Sequence, residues 1–114
     1  MPNRNGAQGA RFENSLVPFT CTYWPDTVAL GKQGRFDKGD LHMPGNGLYI
    51  VEAKSSTAYK NLEEWWREAE VEKGNKGVPY GVVVHKRKGK GQAADQWATM
   101  TYLTFMELLH GDRG

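Results

Sequence analysis

Two acids and a lysine, Asp40, Glu52 and Lys54, fall close enough in the chain to meet in one site. Asp40 ends the string Asp37-Lys38-Gly39-Asp40. Pro44-Gly45-Asn46-Gly47 reads as a turn, and the apolar run Leu48-Tyr49-Ile50-Val51 leads into Glu52-Ala53-Lys54. A short continuous apolar run bounded by turn residues suits a strand buried on both faces. Side chains alternate across a strand, so Leu48, Ile50, Glu52 and Lys54 share one face, and Tyr49, Val51 and Ala53 share the other. If the segments on either side of the turn pair as a hairpin, Asp40 comes close to Glu52, and two carboxylates and an ammonium converge at one end of a sheet. Like charges at that range shift each other's pKa unless a cation sits between them, and hard oxygen donors suit Mg²⁺ or Mn²⁺. The plain alternative is a solvated Glu-x-Lys ion pair.

The elements that must hold this hairpin follow from pattern. Residues 1–9 are polar and rich in Gly and Asn, a flexible arm. A helix is predicted over residues 7–17, with Phe12, Leu16 and Phe19 on one face and Pro18 ending it. Residues 19–24 read as a short strand, residues 25–30 as a helical turn opened by Pro25, and residues 31–34 as a loop. Past Lys54, Asn61 is a predicted N-cap with Glu64 three residues on, and Gly74 a predicted stop. Leu62, Trp65 or Trp66, and Ala69 form that helix's buried stripe. Glu63, Arg67 and Glu70 lie opposite, with Glu63 and Arg67 at favourable i, i+4 spacing, and the helix's acids read as a solvated face. Residues 78–85, with Val82-Val83-Val84 at their centre, predict a buried strand parallel to the hairpin through a right-handed crossover. Residues 96–100 predict a return strand. Thr101 is a predicted cap for a last helix whose Leu103, Phe105, Met106, Leu108 and Leu109 would cover the sheet.

A chain of 114 residues supports one domain with one core, and contains no apolar run of membrane-spanning length. The polar N-terminus lacks a signal-peptide segment, so the expectation is a soluble, cytoplasmic protein. Cys21 is the single cysteine, which excludes an internal disulfide and a cysteine-rich zinc site, and its apolar neighbours suggest a core position. His42 and His110 have no partner at ligand spacing, which argues against zinc. The net charge of +2 is mild, but its distribution is uneven. Arg11 lies near the start, and Lys32, Arg35 and Lys38 precede the acids, where they could flank a phosphate backbone. Lys86-Arg87-Lys88-Gly89-Lys90 is a dense basic run of the kind that contacts nucleic-acid phosphates, or else a plain hairpin connection. Asp37 reads as a loop-capping residue or a third carboxylate.

The arrangement Gly39-Asp40 followed by Glu52-Ala53-Lys54 resembles the core motif of the PD-(D/E)xK nuclease superfamily, with Gly39 in place of the motif's proline. With the strings around Glu64-Trp65 and Tyr80-Gly81, and His85-Lys86-Arg87, it is similar to small Holliday-junction-resolvase-like nucleases of bacteriophages that infect actinobacteria. The resemblance runs from about Gly9 to Leu109. It implies an α/β fold with a restriction-endonuclease-like core, a mixed central β-sheet flanked by helices. It also implies a metal-dependent DNA endonuclease in which Asp40, Glu52 and the Ala53 carbonyl hold Mg²⁺ or Mn²⁺, Lys54 orients or helps deprotonate a water, and Glu13 reaches in from the first helix. His85 would contact DNA or position water. A homodimer acting on branched DNA, with Tyr23, Trp24 and Trp66 as interface aromatics, completes the expectation. A nuclease of the same core acting on linear duplex, or a DNA-binding protein without catalysis, are the other readings.

Overall fold

The computed structural model describes residues 4–31, 40–44 and 49–111, with side chains from residue 9 onward. Three helices and a five-stranded mixed sheet make up these residues. α1 spans Arg4–Cys21, β1 Val28–Ala29, β2 Leu41–His42, β3 Tyr49–Lys54, α2 Leu62–Lys76, β4 Tyr80–His85, β5 Trp97–Thr99 and α3 Tyr102–Gly111. The strands lie side by side in chain order. β3 and β4 are parallel and every other neighbouring pair is antiparallel. Parallel pairing of β3 with β4 follows from the α2 crossover between them, as the sequence predicts. The hairpin pairs Leu41 with Val51, although its turn, residues 45–48, lies outside the described residues.

β3 is buried on both faces, as its apolar run requires. Val51 and Ala53 join Phe12, Leu16, Leu41 and Met43 under α1, whereas Ile50 joins Trp65, Ala69 and Val83 under α2. Gly81 lies under α2, and its lack of a side chain leaves room for Ile50. A Cβ there would stand 3.2 Å from Ile50 Cδ1 and 3.6 Å from the Ala69 carbonyl oxygen. The predicted stripe of Leu62, Trp65 and Ala69 faces inward.

Several boundaries differ from the sequence expectation. α1 continues through Pro18 to Cys21, so residues 19–24 are helix and turn and not a strand. Proline removes one backbone donor, and the last turns carry side-chain donors besides: Thr20 Oγ1 donates to the Leu16 carbonyl at 2.7 Å and Thr22 Oγ1 to the Pro18 carbonyl at 3.5 Å. Cys21 is half-buried, its thiol 3.6 Å from the Thr27 carbonyl. The predicted helical turn over residues 25–30 contains β1 instead, fixed by pairing to β2. Asn61 occupies the N-cap position of α2 without capping it through its side chain, since a 3₁₀ turn, Tyr59–Asn61, leads directly into the helix. α2 runs past Gly74 and stops at Gly77, whose φ of +75° is the left-handed conformation that glycine adopts without strain. Thr101 does cap α3, accepting from the Thr104 N–H at 3.1 Å. α3 does not cover the sheet. Its buried residue is Thr104, while Tyr102, Leu103, Phe105, Met106 and Leu109 are exposed. Two residues separate α3 from β5, an edge strand. No helix among the described residues is long and apolar enough to cross a membrane.

Candidate active site

Strand alternation sends Glu52 and Lys54 to the α2 side of β3, the side of Ile50. The hairpin brings Asp40 to them. Its N–H donates to the Val51 carbonyl at 2.8 Å, and its Oδ2 accepts the Ala53 N–H at 2.7 Å. The Asp40 carboxylate is thereby tied to the backbone one residue beyond Glu52. In an extended strand a residue's N–H and C=O point to the same edge, so the Ala53 carbonyl faces the edge where Asp40 sits.

Asp40 and Glu52 are each 2% exposed. The Glu52 Oε2 atom is buried and without a hydrogen-bond partner among the described residues. Burial, with the Asp40 and Glu72 carboxyls against it, pushes the Glu52 carboxyl up to about 12. An isolated buried charge is expensive, so without a compensating cation the carboxyl holds its proton. For Lys54, burial acts to lower the pKa but is outweighed by the Glu68 carboxylate to which it donates and by neighbouring acid groups, and the net direction is up. The Lys54 ammonium donates to Glu68 Oε2 at 2.5 Å.

Glu68 and Glu72 are the residues that sequence reasoning missed. The solvated-face reading of α2 fits the exposed Glu63, Glu64 and Glu70, but Glu72 is 7% exposed and Glu68 is half-buried on Lys54. The signal was spacing. Residues 65, 68, 69 and 72 recur at three and four, so both glutamates lie on the Trp65 and Ala69 stripe.

The other candidate residues divide. His85 is 3% exposed, its Nε2 is 2.7 Å from Thr99 Oγ1, and its ring lies against those of Trp65 and Tyr59. Burial lowers its pKa. Such a side chain is a core histidine, beyond the reach of a phosphate backbone. The basic run begins where β4 ends, beside the site, since the Lys86 N–H donates to the Lys54 carbonyl at 3.0 Å. Gln96 holds this connection: its amide oxygen accepts from the Arg87 N–H at 2.7 Å, and its amide nitrogen donates to the Lys90 and Gln92 carbonyls at 3.0 and 2.9 Å. Lys86 bends back onto the Lys90 carbonyl of the same connection, and the Arg87 guanidinium lies 4.5 Å from the centre of the Trp97 ring. Lys88 and Lys90 are exposed. Arg11 is exposed on α1. Glu13 is half-buried on α1, the helix that covers the sheet face opposite Glu52. Lys32, Arg35, Asp37 and Lys38 lie outside the described residues.

Among the described residues no group of three or more His, Cys, Asp or Glu side chains is arranged to hold a metal ion. The donor set is the pair Asp40 and Glu52, and the unpartnered Glu52 Oε2 is an oxygen that a hard divalent cation would satisfy. Fold and site thus define an α/β protein with a buried carboxylate pair and an ammonium at the carboxyl end of a central strand. No family model, curated protein or solved structure matches the chain.

Proposed function

We propose that this chain is a metal-dependent DNA endonuclease centred on Asp40, Glu52 and Lys54. The observation that carries the reading is the buried Glu52 carboxyl with an unpartnered oxygen, set against a second carboxylate that is tied to the adjacent backbone. A fold does not keep such a pair for stability, because two apolar side chains of similar volume would cost less. Asp40, Glu52 and the Ala53 carbonyl would hold Mg²⁺ or Mn²⁺. That ion, when bound, supplies Lewis-acid polarisation of a phosphate and a more acidic water. Lys54 favours its ammonium form, so its part here is to offset charge on the phosphate and orient the water, and not to act as a base. The exposed Lys88 and Lys90, following the end of β4, would contact the DNA backbone without reading sequence.

The preferred substrate in this reading is branched DNA, a four-way junction, cut by a two-fold pair of chains. Two symmetric nicks need two sites at a fixed separation, which a homodimer provides. Support for a second copy comes from α3, where Tyr102 is 75% and Leu103 67% exposed beside Phe105, Met106 and Leu109. A contiguous apolar surface of that kind marks protein contact. The test is cleavage of labelled four-way junction, flap and linear duplex with Mg²⁺, comparing the wild-type chain with Glu52→Ala. Loss of cleavage in Glu52→Ala, with DNA binding retained, is expected. Equal cutting of junction and linear duplex would favour a nuclease of the same core on linear DNA. Binding without any cleavage would favour the non-catalytic reading.

A further inference from the structure

The acids of α2 stand in register with the site on β3. Four residues along a helix rise about 6 Å and two along a strand about 6.6 Å, so an i, i+4 pair on α2 can meet an i, i+2 pair on β3. Glu68 meets Lys54 at 2.5 Å, and Glu72, 7% exposed and one turn further along the same stripe, falls in that register opposite Glu52. One turn further, Lys76 Nζ donates to the Tyr49 carbonyl at 3.2 Å, which fixes α2 antiparallel to β3. The ladder thus spans the length of β3, and its two acidic steps fall on the two side chains with chemistry.

We propose that Glu72 and Glu68 are positioning residues of this site, Glu72 acting on the Glu52 carboxyl and Glu68 on the Lys54 ammonium. The inference rests on the endonuclease reading. Neither contact has an adequate structural purpose. Glu72 puts a second carboxyl into a stripe shared with Trp65 and Ala69, where an apolar side chain would pack at lower cost. The Lys54–Glu68 pair has side chains 20% and 40% exposed, a setting in which ion pairs add little stability. What both contacts do is remove rotamer freedom. Glu72 against Glu52 fixes how that carboxyl presents its free oxygen, and Glu68 aims a four-carbon lysine stem that would otherwise sample many directions.

The test is calorimetric titration of Mn²⁺ into the full chain as wild type, Asp40→Asn, Glu72→Leu, Glu68→Ala and Glu68→Gln, alongside thermal melts and steady-state junction cleavage. Asp40→Asn should abolish Mn²⁺ binding, and a wild type that titrates no differently from Asp40→Asn would overturn the endonuclease reading itself. With that control in place, Glu72→Leu should raise the Mn²⁺ Kd roughly 10- to 100-fold, the range found when partners of metal ligands are removed, while melting no earlier than wild type. Glu68→Ala should lower kcat by a similar factor with KM and Mn²⁺ affinity unchanged. Glu68→Gln should recover most of it, because an amide oxygen still accepts from the ammonium. Wild-type Mn²⁺ affinity in Glu72→Leu, or wild-type kcat in Glu68→Ala, would overturn the positioning roles. A lowered melting temperature as the sole change would assign both residues to structure.

Discussion

Replacing Glu52 by Gln should stabilise the metal-free protein at alkaline pH. In the fold the Glu52 carboxyl is buried, faces Asp40 and Glu72, and lies near Lys54, and it titrates far above its ordinary value of 4.5. The unfolded chain releases this proton near 4.5 while the folded chain keeps it. Above that pH the unfolded state therefore binds fewer protons, and stability falls as pH rises toward the folded pKa. One proton corresponds to at most about 1.4 kcal/mol per pH unit, so between about pH 5.5 and 8.5 the wild type should lose about 2 to 4 kcal/mol. In a domain of this size that lowers Tm by roughly 10 °C or more. Glutamine keeps the shape and cannot ionise, so Glu52→Gln should show a much flatter profile and exceed the wild type in stability at about pH 8.5 by a similar 2 to 4 kcal/mol. Mg²⁺ or Mn²⁺ should restore the wild type, by about 2.7 kcal/mol at one hundred times Kd, and leave Glu52→Gln unmoved. Urea titrations at several pH values, with and without the ion, measure each quantity. A Glu52→Gln protein that is less stable than wild type at the alkaline end, or that keeps the wild-type slope, would refute the reasoning.

Two further outcomes test the DNA-facing and dimer-facing surfaces. Neutralising the exposed Lys88 and Lys90 should weaken DNA binding uniformly across sequences and reduce the slope of log affinity against log salt by about one unit for each lysine that touches a phosphate, measured by fluorescence anisotropy. An unchanged slope would leave these lysines as solvated charge. On α3, Leu103→Lys with Leu109→Lys should convert a dimer to a monomer in light scattering without lowering Tm, since both side chains are exposed in the single chain. A wild type that is monomeric at high concentration would refute the second copy.

The alignment of Glu52 and Lys54 on one face of β3 was legible because strand alternation is local, and Asp40 reached them because a hairpin joins segments close in the chain. The inward stripe of α2 and the parallel β3–β4 pair were legible for the same reason, each following from periodicity or from the length of one crossover. Contacts set by how whole elements lie against each other were not. β1 exists because β2 pairs with it, against the local signal of Pro25. The exposed state of α3 was not legible, because its apolar composition called for burial without saying against what. Glu68 and Glu72 carried the spacing of buried residues, but glutamate on a helix is solvated unless something across from it needs a carboxyl. Only the antiparallel seating of α2 over β3, which matches one helical turn to two strand residues, decided that Lys54 and Glu52 lie opposite them.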